Sequence, residues 1–306
     1  MKGFSIRNRP EPRPAERPGL LAPCHCYALA TVLLWSSAYV FTKVAMEHFS
    51  FASLGFLRCA VASVVLAAAL AVKKTPRPPA AELPWFILSG AAGFALYLLA
   101  FNRGSVWLNP TTSCLVISTA PLITALLARF GLGEGLTAAG WGALLSAFGG
   151  VAIMMLGEGA VTFSRGIFWM LLAALLISVY NLVQRKLAAG RDSLTITAYS
   201  FFSAAILLAW GAPRALEEGL EASPGHLAVA VYLGVFPSAL AYLLWVKALA
   251  LAPRTSAVTS YMYLTPLLAL LLEYLILAET PGLGTWLGGV VILGSLVLFN
   301  RKGRRT

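Results

Sequence analysis

The sequence predicts an all-α membrane protein with ten transmembrane helices arranged as two inverted five-helix repeats. Three observations predict it. Hydrophobic residues fill 59% of 306 positions and charged residues only 11%, with a mean hydropathy of +0.79; a soluble surface would need roughly 25% charged residues. The apolar positions fall in runs of about 20 residues, the length that crosses ~30 Å of hydrocarbon. The second half of the chain also repeats the landmarks of the first.

Ten segments have the required length: 27–46, 51–72, 84–102, 111–130, 136–157, 164–188, 195–213, 227–249, 255–276 and 282–299. The junctions carry turn or breaker chemistry, as at Asn109-Pro110, Gly131 to Gly135, Ala252-Pro253 and Thr280-Pro281-Gly282. They are too short to fold alone, so one membrane body holds nearly the whole chain. Residues 1–26 read as a disordered Arg/Pro-rich cytoplasmic tail, 27–157 as the first repeat, 158–163 as a linker, 164–299 as the second repeat and 300–306 as a basic tail. The basic start resembles a signal-peptide n-region, but no small-residue cleavage site follows the first span, so an uncleaved anchor is expected.

The net charge of +11 does not mark a nucleic-acid binder, because the positive residues sit at helix ends and in the tails. Lys73, Lys74, Arg77, Arg129, Arg185, Lys186, Arg191, Lys247 and Arg254 gather at one set of junctions with both tails. Only Lys43, Arg103, Arg165 and Arg214 fall at the opposite ends. The positive-inside rule then puts both termini in the cytoplasm of a bacterial cell, the chain being multi-pass in its inner membrane. Cys24 and Cys26, with His25 between them, lack a fourth ligand nearby and read as small interface residues; no metal, cofactor or disulfide framework is indicated.

The repeat is ordered. Pro121, Glu134, Trp141 and Gly149 recur as Pro266, Glu279, Trp286 and Gly294; Pro110, Thr112 and Ser113 recur as Pro253, Thr255 and Ser256. Gly90 answers to Gly234, Arg103 to Lys247, and Ser37 and Tyr39 to Ser178 and Tyr180. Five helices per repeat is an odd number, so the second repeat enters from the opposite face. Such inverted repeats underlie alternating access.

Three stretches carry a family resemblance: Leu34-Trp35-Ser36-Ser37-Ala38-Tyr39, Leu57-Arg58-Cys59-Ala60, and the paired endings Pro121 to Leu132-Gly133-Glu134 and Pro266 to Leu277-Ala278-Glu279. Over residues 27–299 the chain resembles the EamA-type group of the drug/metabolite transporter superfamily, with Ala278 standing where the pattern has Gly. The resemblance implies a secondary transporter, many bacterial members being exporters, of amino acids, other small metabolites or amphipathic compounds.

Such a role needs a polar site near the midplane and helices that bend there. Pro121, Pro237 and Pro266 fall mid-span as candidate hinges, with Gly93 at the place matching Pro237. Arg58, roughly 10 Å into its helix, is the leading substrate-binding candidate, for a carboxylate or other anionic group. Trp35, Ser36, Ser37, Tyr39, Tyr97, Asn102, Tyr180, Asn181, Gln184, Tyr242 and Tyr263 complete the candidate substrate-binding set, and Tyr261 adds aromatic surface nearby. Glu273 is a candidate for proton coupling, against a bland reading as a paired interfacial carboxylate. Lys43 reads as snorkelling, Glu134 and Glu279 as helix-start caps, Trp141, Trp245 and Trp286 as belt residues, and Gly284 with Gly288 as close helix packing.

An enzyme is disfavoured. His25, His48 and His226 lie at junctions, Asp192 is the only aspartate, and no His-Glu-x-x-His, Gly-x-Ser-x-Gly or phosphate-loop pattern occurs. A channel-like or non-transporting subunit of a larger assembly is the alternative, although no filter loop or charged ring is found. Oligomeric state is left open.

Overall fold

The computed structural model describes residues 23–132, 137–157, 165–187, 191–251 and 260–302. The expected tail over 1–22, the linker 158–163, Glu134, the Ala252-Pro253 junction, the Tyr263 side chain and residues 303–306 lie outside the described residues. All regular structure among the described residues is helical.

The first half comprises α1 (Pro23–Ala45), α2 (Phe51–Lys73), α3 (Leu83–Gly90), α4 (Leu96–Ser105), α5 (Pro110–Ile117), α6 (Ala120–Leu132) and α7 (Ala138–Gly157). The second comprises α8 (Arg165–Leu187), α9 (Ser193–Leu207), α10 (Ala212–Glu221), α11 (Pro224–Leu233), α12 (Ala241–Leu251), α13 (Thr265–Leu277) and α14 (Leu283–Lys302). Helix starts follow capping chemistry. Ser50, Asn109, Asp192 and Ser223 are extended residues whose side chains accept from the N–H three residues on, and Pro110 and Pro224 occupy first-turn positions. Helices α2 and α13 end on left-handed residues, Lys74 at φ 49° and Ala278 at φ 54°.

Six helical stretches are long and apolar enough to cross a bilayer, and α9 with the segment Ala209–Glu221, bent by 51°, makes a seventh if counted as one span. Shorter apolar helices at Ala138–Ile153, Thr265–Leu277 and Leu283–Phe299 complete the bundle. Val64, Val72, Leu145, Ile206 and Val290 stand more than two-thirds exposed on its outside. Such a surface would be costly in water and is neutral against lipid chains.

Two boundaries differ from expectation. Helix α1 begins at Pro23, which supplies the fixed φ of a first helical position. The seventh segment stops at Leu207 and restarts at Ala212 as α10, an amphipathic helix with Leu216 and Leu220 exposed and Glu218 turned inward. Glu218 accepts from Ser50 N–H at 2.8 Å and from Arg214 Nε at 2.8 Å, tying α10 to the start of α2.

Packing repeats with the sequence. Helix α1 lies on α12 as α8 lies on α4; α1 meets α13 as α8 meets α6; α2 meets segment 234–240 as α9 meets segment 91–95. The equivalent helices α2 and α9 pack against each other directly, and their register runs oppositely. A Cβ at Gly211 would lie 3.5 Å from Ala52 O, and one at Gly55 would lie 3.6 Å from Leu208 Cδ1. Leu208 and Gly211 directly follow α9 and sit at the first turn of α2, so the end of one helix meets the start of the other and these two mates are antiparallel. Helices α7 and α14 pack closely on each other, and a Cβ on Gly150 would come 2.8 Å from Gly288 O, so close packing is found at Gly288 of the glycine pair.

Candidate substrate site

Two helices lose their regular winding at matching places. Between α3 and α4 the backbone winds as a π-helix over Ala91–Ala95; between α11 and α12 it does so over Gly234–Leu240. Gly90 and Gly234, already paired by the repeat, open the two breaks. In the second, Pro237 has no N–H for the carbonyl of Leu233, and Ser238 Oγ donates to it instead at 2.8 Å. Both breaks need close neighbours: a Cβ on Gly234 would come 2.6 Å from Val61, and one on Gly90 would strike Ser200 and come 2.8 Å from Ser203. Ser200 is therefore the mate of Arg58, whose carbonyl oxygen is 3.3 Å from the Gly234 Cβ position.

Pro121 and Pro266 differ from the expectation of a mid-helix kink. Each is the second residue of a new helix: α6 starts after a break at Ser118 and Thr119, and α13 after a 3-10 turn, Ser260–Leu264. A proline at that position misses no helical bond, so the chain breaks before it rather than bending around it. Each break is clipped by the other repeat. Ser36 Oγ is 2.7 Å from Val32 O and 3.2 Å from Thr265 O; Ser178 Oγ is 2.6 Å from Ala174 O and 2.9 Å from Ala120 O. These matching bonds pair Ser36, not Ser37, with Ser178. The sequence match was one residue out of register because a shared Ser-x-Tyr spacing outweighed the helix caps.

Arg58 is the one cation among the described residues that is buried in the middle of a helix; it is 6% exposed. Its Nη1 donates to Thr42 Oγ1 at 3.3 Å and Nη2 to Ser238 Oγ at 3.5 Å, while Nε is buried without a partner. Tyr97 and Tyr242 lie within electrostatic reach, and no carboxylate among the described residues pairs with it. Trp35 packs edge-on to Tyr242 at 5.4 Å and tilts against Trp245 at 5.3 Å. Phe94, in the first π-helical break, meets Tyr242 at 5.4 Å and Tyr180 at 5.2 Å. The result is an aromatic cage, to which both breaks contribute residues, with the buried Arg58 guanidinium within electrostatic reach of Tyr97 and Tyr242.

Of the expected residues, Arg58, Trp35, Tyr97, Tyr180 and Tyr242 come together. Tyr39 is buried beside them, edge-on to Phe101 at 5.3 Å. Gln184 donates to the Tyr180 hydroxyl and Ser37 bonds Tyr232 OH at 2.7 Å. Asn102 and Asn181 lie elsewhere: Asn102 donates to Phe51 O at 3.0 Å, and the exposed Asn181 reaches Thr124 at 3.4 Å. Tyr261 bonds His25 near the other end of α1. Trp245 joins the cage rather than an outer belt, while Trp141 and Trp286 stay exposed.

Thr42, Ser238 and Phe94 were missed. Thr42 lies three residues after Tyr39 on the same face of α1, and Ser238 follows the break-making Pro237; both signals were legible.

Glu273 and Lys43 have structural partners. Glu273 is 0% exposed; its Oε2 accepts from Thr111 N–H at 2.8 Å and from Thr111 Oγ1, at the start of α5, and its Oε1 is unpaired. Lys43 does not snorkel freely: its Nζ donates to Ser105 O and Val106 O at 3.2 and 3.3 Å, where α4 ends and the carbonyls are unpaired. Glu279 is not a helix-start cap, since it sits in the exposed link four residues before α14.

Comparison with known proteins accords with this architecture. The profile of the EamA-like transporter family matches residues 22–156 and again 164–301. The chain is 32% identical over 277 residues to a probable terminal-alkyne amino-acid exporter of Streptantibioticus cattleyicolor, covering 90% of this chain and 93% of that one. It is 28% identical to the uncharacterized transporter YdfC of Bacillus subtilis, covering 86% of each. It is 27% identical to an S-adenosylmethionine uptake transporter of Rickettsia prowazekii, over 67% of this chain and 70% of that one. A crystal structure at 20% identity shares the fold, with a TM-score of 0.60 over 90% of this chain and 95% of that one. With the family profile covering both halves and a relative above 30% identity along nearly its whole length, the chain belongs to the EamA-like transporter family.

Proposed function

We propose that this protein is a secondary transporter of small metabolites that carry an anionic group, amino acids foremost. It works by alternating access between two inverted five-helix repeats that cross the bilayer ten times, with both termini in the cytoplasm of a bacterial cell. The observation that carries the proposal is Arg58: a buried cation with an unpaired donor, no carboxylate partner among the described residues, and Tyr97 and Tyr242 within electrostatic reach. A charge in that position is stabilised when a ligand supplies the counter-charge and completes the hydrogen bonds. The faces of Trp35, Tyr97 and Tyr242 suit an apolar side chain or, through their quadrupoles, an ammonium group. Amino-acid export fits the printed name of the Streptantibioticus relative. The two π-helical breaks and the proline breaks before α6 and α13 serve as hinges, since each sits where one repeat grips the other. Glu273 serves as the coupling group: its protonation weakens the cap on α5 and loosens α13 from α5.

The test is counterflow in proteoliposomes with a panel of labelled amino acids and a pH gradient. Saturable, trans-stimulated exchange is expected, and an ohmic conductance would end the carrier reading. Arg58→Ala should lower exchange about ten- to a hundredfold, the value of charge-assisted hydrogen bonds of roughly 1.5–3 kcal/mol, with insertion intact. Glu273→Gln should flatten the pH profile; an unchanged profile would remove Glu273 from the mechanism.

A further inference from the structure

On the other side of α4 from Tyr97, a groove of about 450 Å³ runs down the seam between α4 and α8. Its walls are Leu96 and Leu99 from α4 and Leu172 and Leu176 from α8, and its mouth is framed by Phe51, Trp169 and Arg103. Arg103 is exposed, and its guanidinium lies 5.0 Å from the centroid of the Phe51 ring and 5.2 Å from that of Trp107. No acidic side chain among the described residues pairs with it. Arg58 takes no part in the groove, so this is not the substrate cage seen from outside.

We infer that the groove is a phospholipid site, with one acyl chain along the leucines and the headgroup phosphate on Arg103. The shape fits a lipid. Arg103 lies in the last turn of α4 and Leu96 seven residues earlier, which spans roughly 10 Å along the helix axis, from headgroup level toward the midplane. Aromatic residues cluster at the charged end, as at a membrane interface. The chemistry fits as well. The two rings hold the guanidinium in place while leaving its N–H edges free, and a planar fork of donors matches the oxygens of a phosphate. Below Arg103 the walls offer no polar group, so a water-soluble anion gains the charge contact but nothing from the groove. A lipid gains both the charge contact and van der Waals packing of its chain along the leucines. The site bridges the two repeats, because α4 belongs to the first and α8 to the second. The inference requires only the membrane setting and stands whether or not Arg58 binds substrate.

The experiment is native mass spectrometry of the full chain, stripped of lipid in detergent and titrated with palmitoyl-oleoyl phosphatidylglycerol or, separately, with inorganic phosphate. One phosphatidylglycerol per chain is expected to be retained. Arg103→Ala and the groove-filling Leu99→Trp should each weaken it at least tenfold, with counterflow and helical content as checks on folding. Inorganic phosphate should not bind detectably. The inference is overturned if the wild type retains no phosphatidylglycerol or if Arg103→Ala retains it like the wild type. It is likewise overturned if Leu99→Trp leaves binding unchanged, or if phosphate binds as tightly as the lipid.

Discussion

Leaving the Arg58 Nε buried and unpaired costs stability, because desolvating a charge is repaid only when partners complete its bonds. Arg58→Met keeps the length of the side chain and removes the charge. It should lower exchange about ten- to a hundredfold, as Arg58→Ala does, while leaving the melting temperature in detergent unchanged or higher; a drop of several degrees would mean that the charge holds the fold together. Ala278 makes the opposite case. It sits at φ 54°, where a Cβ costs about 1–2 kcal/mol, and it stands where the family pattern has Gly. Ala278→Gly should raise stability by about 0.5–1 kcal/mol without affecting transport, measured by thermal unfolding in the same detergent. The sequence already flagged this residue; its φ supplies the reason.

Among the elements, the π-helical breaks carry the sharpest consequence. A Cβ at Gly93 would be driven into the ring of Tyr180, which itself packs on Phe94 and bonds Gln184. Gly93→Ala should therefore displace Tyr180, cost about 1–3 kcal/mol of stability and lower exchange, while the same change at Gly142, where nothing lies within 4 Å, should do neither. Paired thermal-shift and counterflow measurements separate the two. Helix α10, which follows the bend after α9 and carries Glu217, Glu218 and Glu221, has its own pH dependence. Burial pushes the Glu218 carboxyl up, but bonds from Ser50 N–H, Arg214 and the Ser53 and Ser50 hydroxyls outweigh it and hold the group below the usual range. A depressed folded pKa means the stabilisation is full above the unfolded value of about 4.3 and is lost as pH falls through the folded one. Hydrogen exchange in α10 should thus rise relative to α11 once pH drops below about 4, and in Glu218→Gln that difference should be insensitive to pH.

At the scale of the molecule, the sequence reported what hydropathy, charge and repetition encode: helical class, membrane setting, the two-part layout and Arg58 as the odd cation. It could not report α10, because an amphipathic stretch with Glu217, Glu218 and Glu221 reads as a polar junction until Ser50 is seen to hold it. It misplaced Asn102 and Asn181, since composition shows that an amide lies in a span but not which neighbour claims it. The repeat register slipped by one residue for a similar reason: caps and hydrogen bonds, not side-chain likeness, set the equivalence of Ser36 with Ser178.

All of the proposed mechanism depends on the halves running in opposite senses, as the antiparallel packing of α2 and α9 indicates. Single cysteines placed at Glu47, Lys74, Arg191 and Glu217, in a variant whose four native cysteines are replaced, can be labelled with a membrane-impermeant maleimide in oriented vesicles. Positions 74 and 191 should label only from the cytoplasmic face, and 47 and 217 only from the opposite one. Labelling of 74 and 217 from the same side would contradict the inverted arrangement.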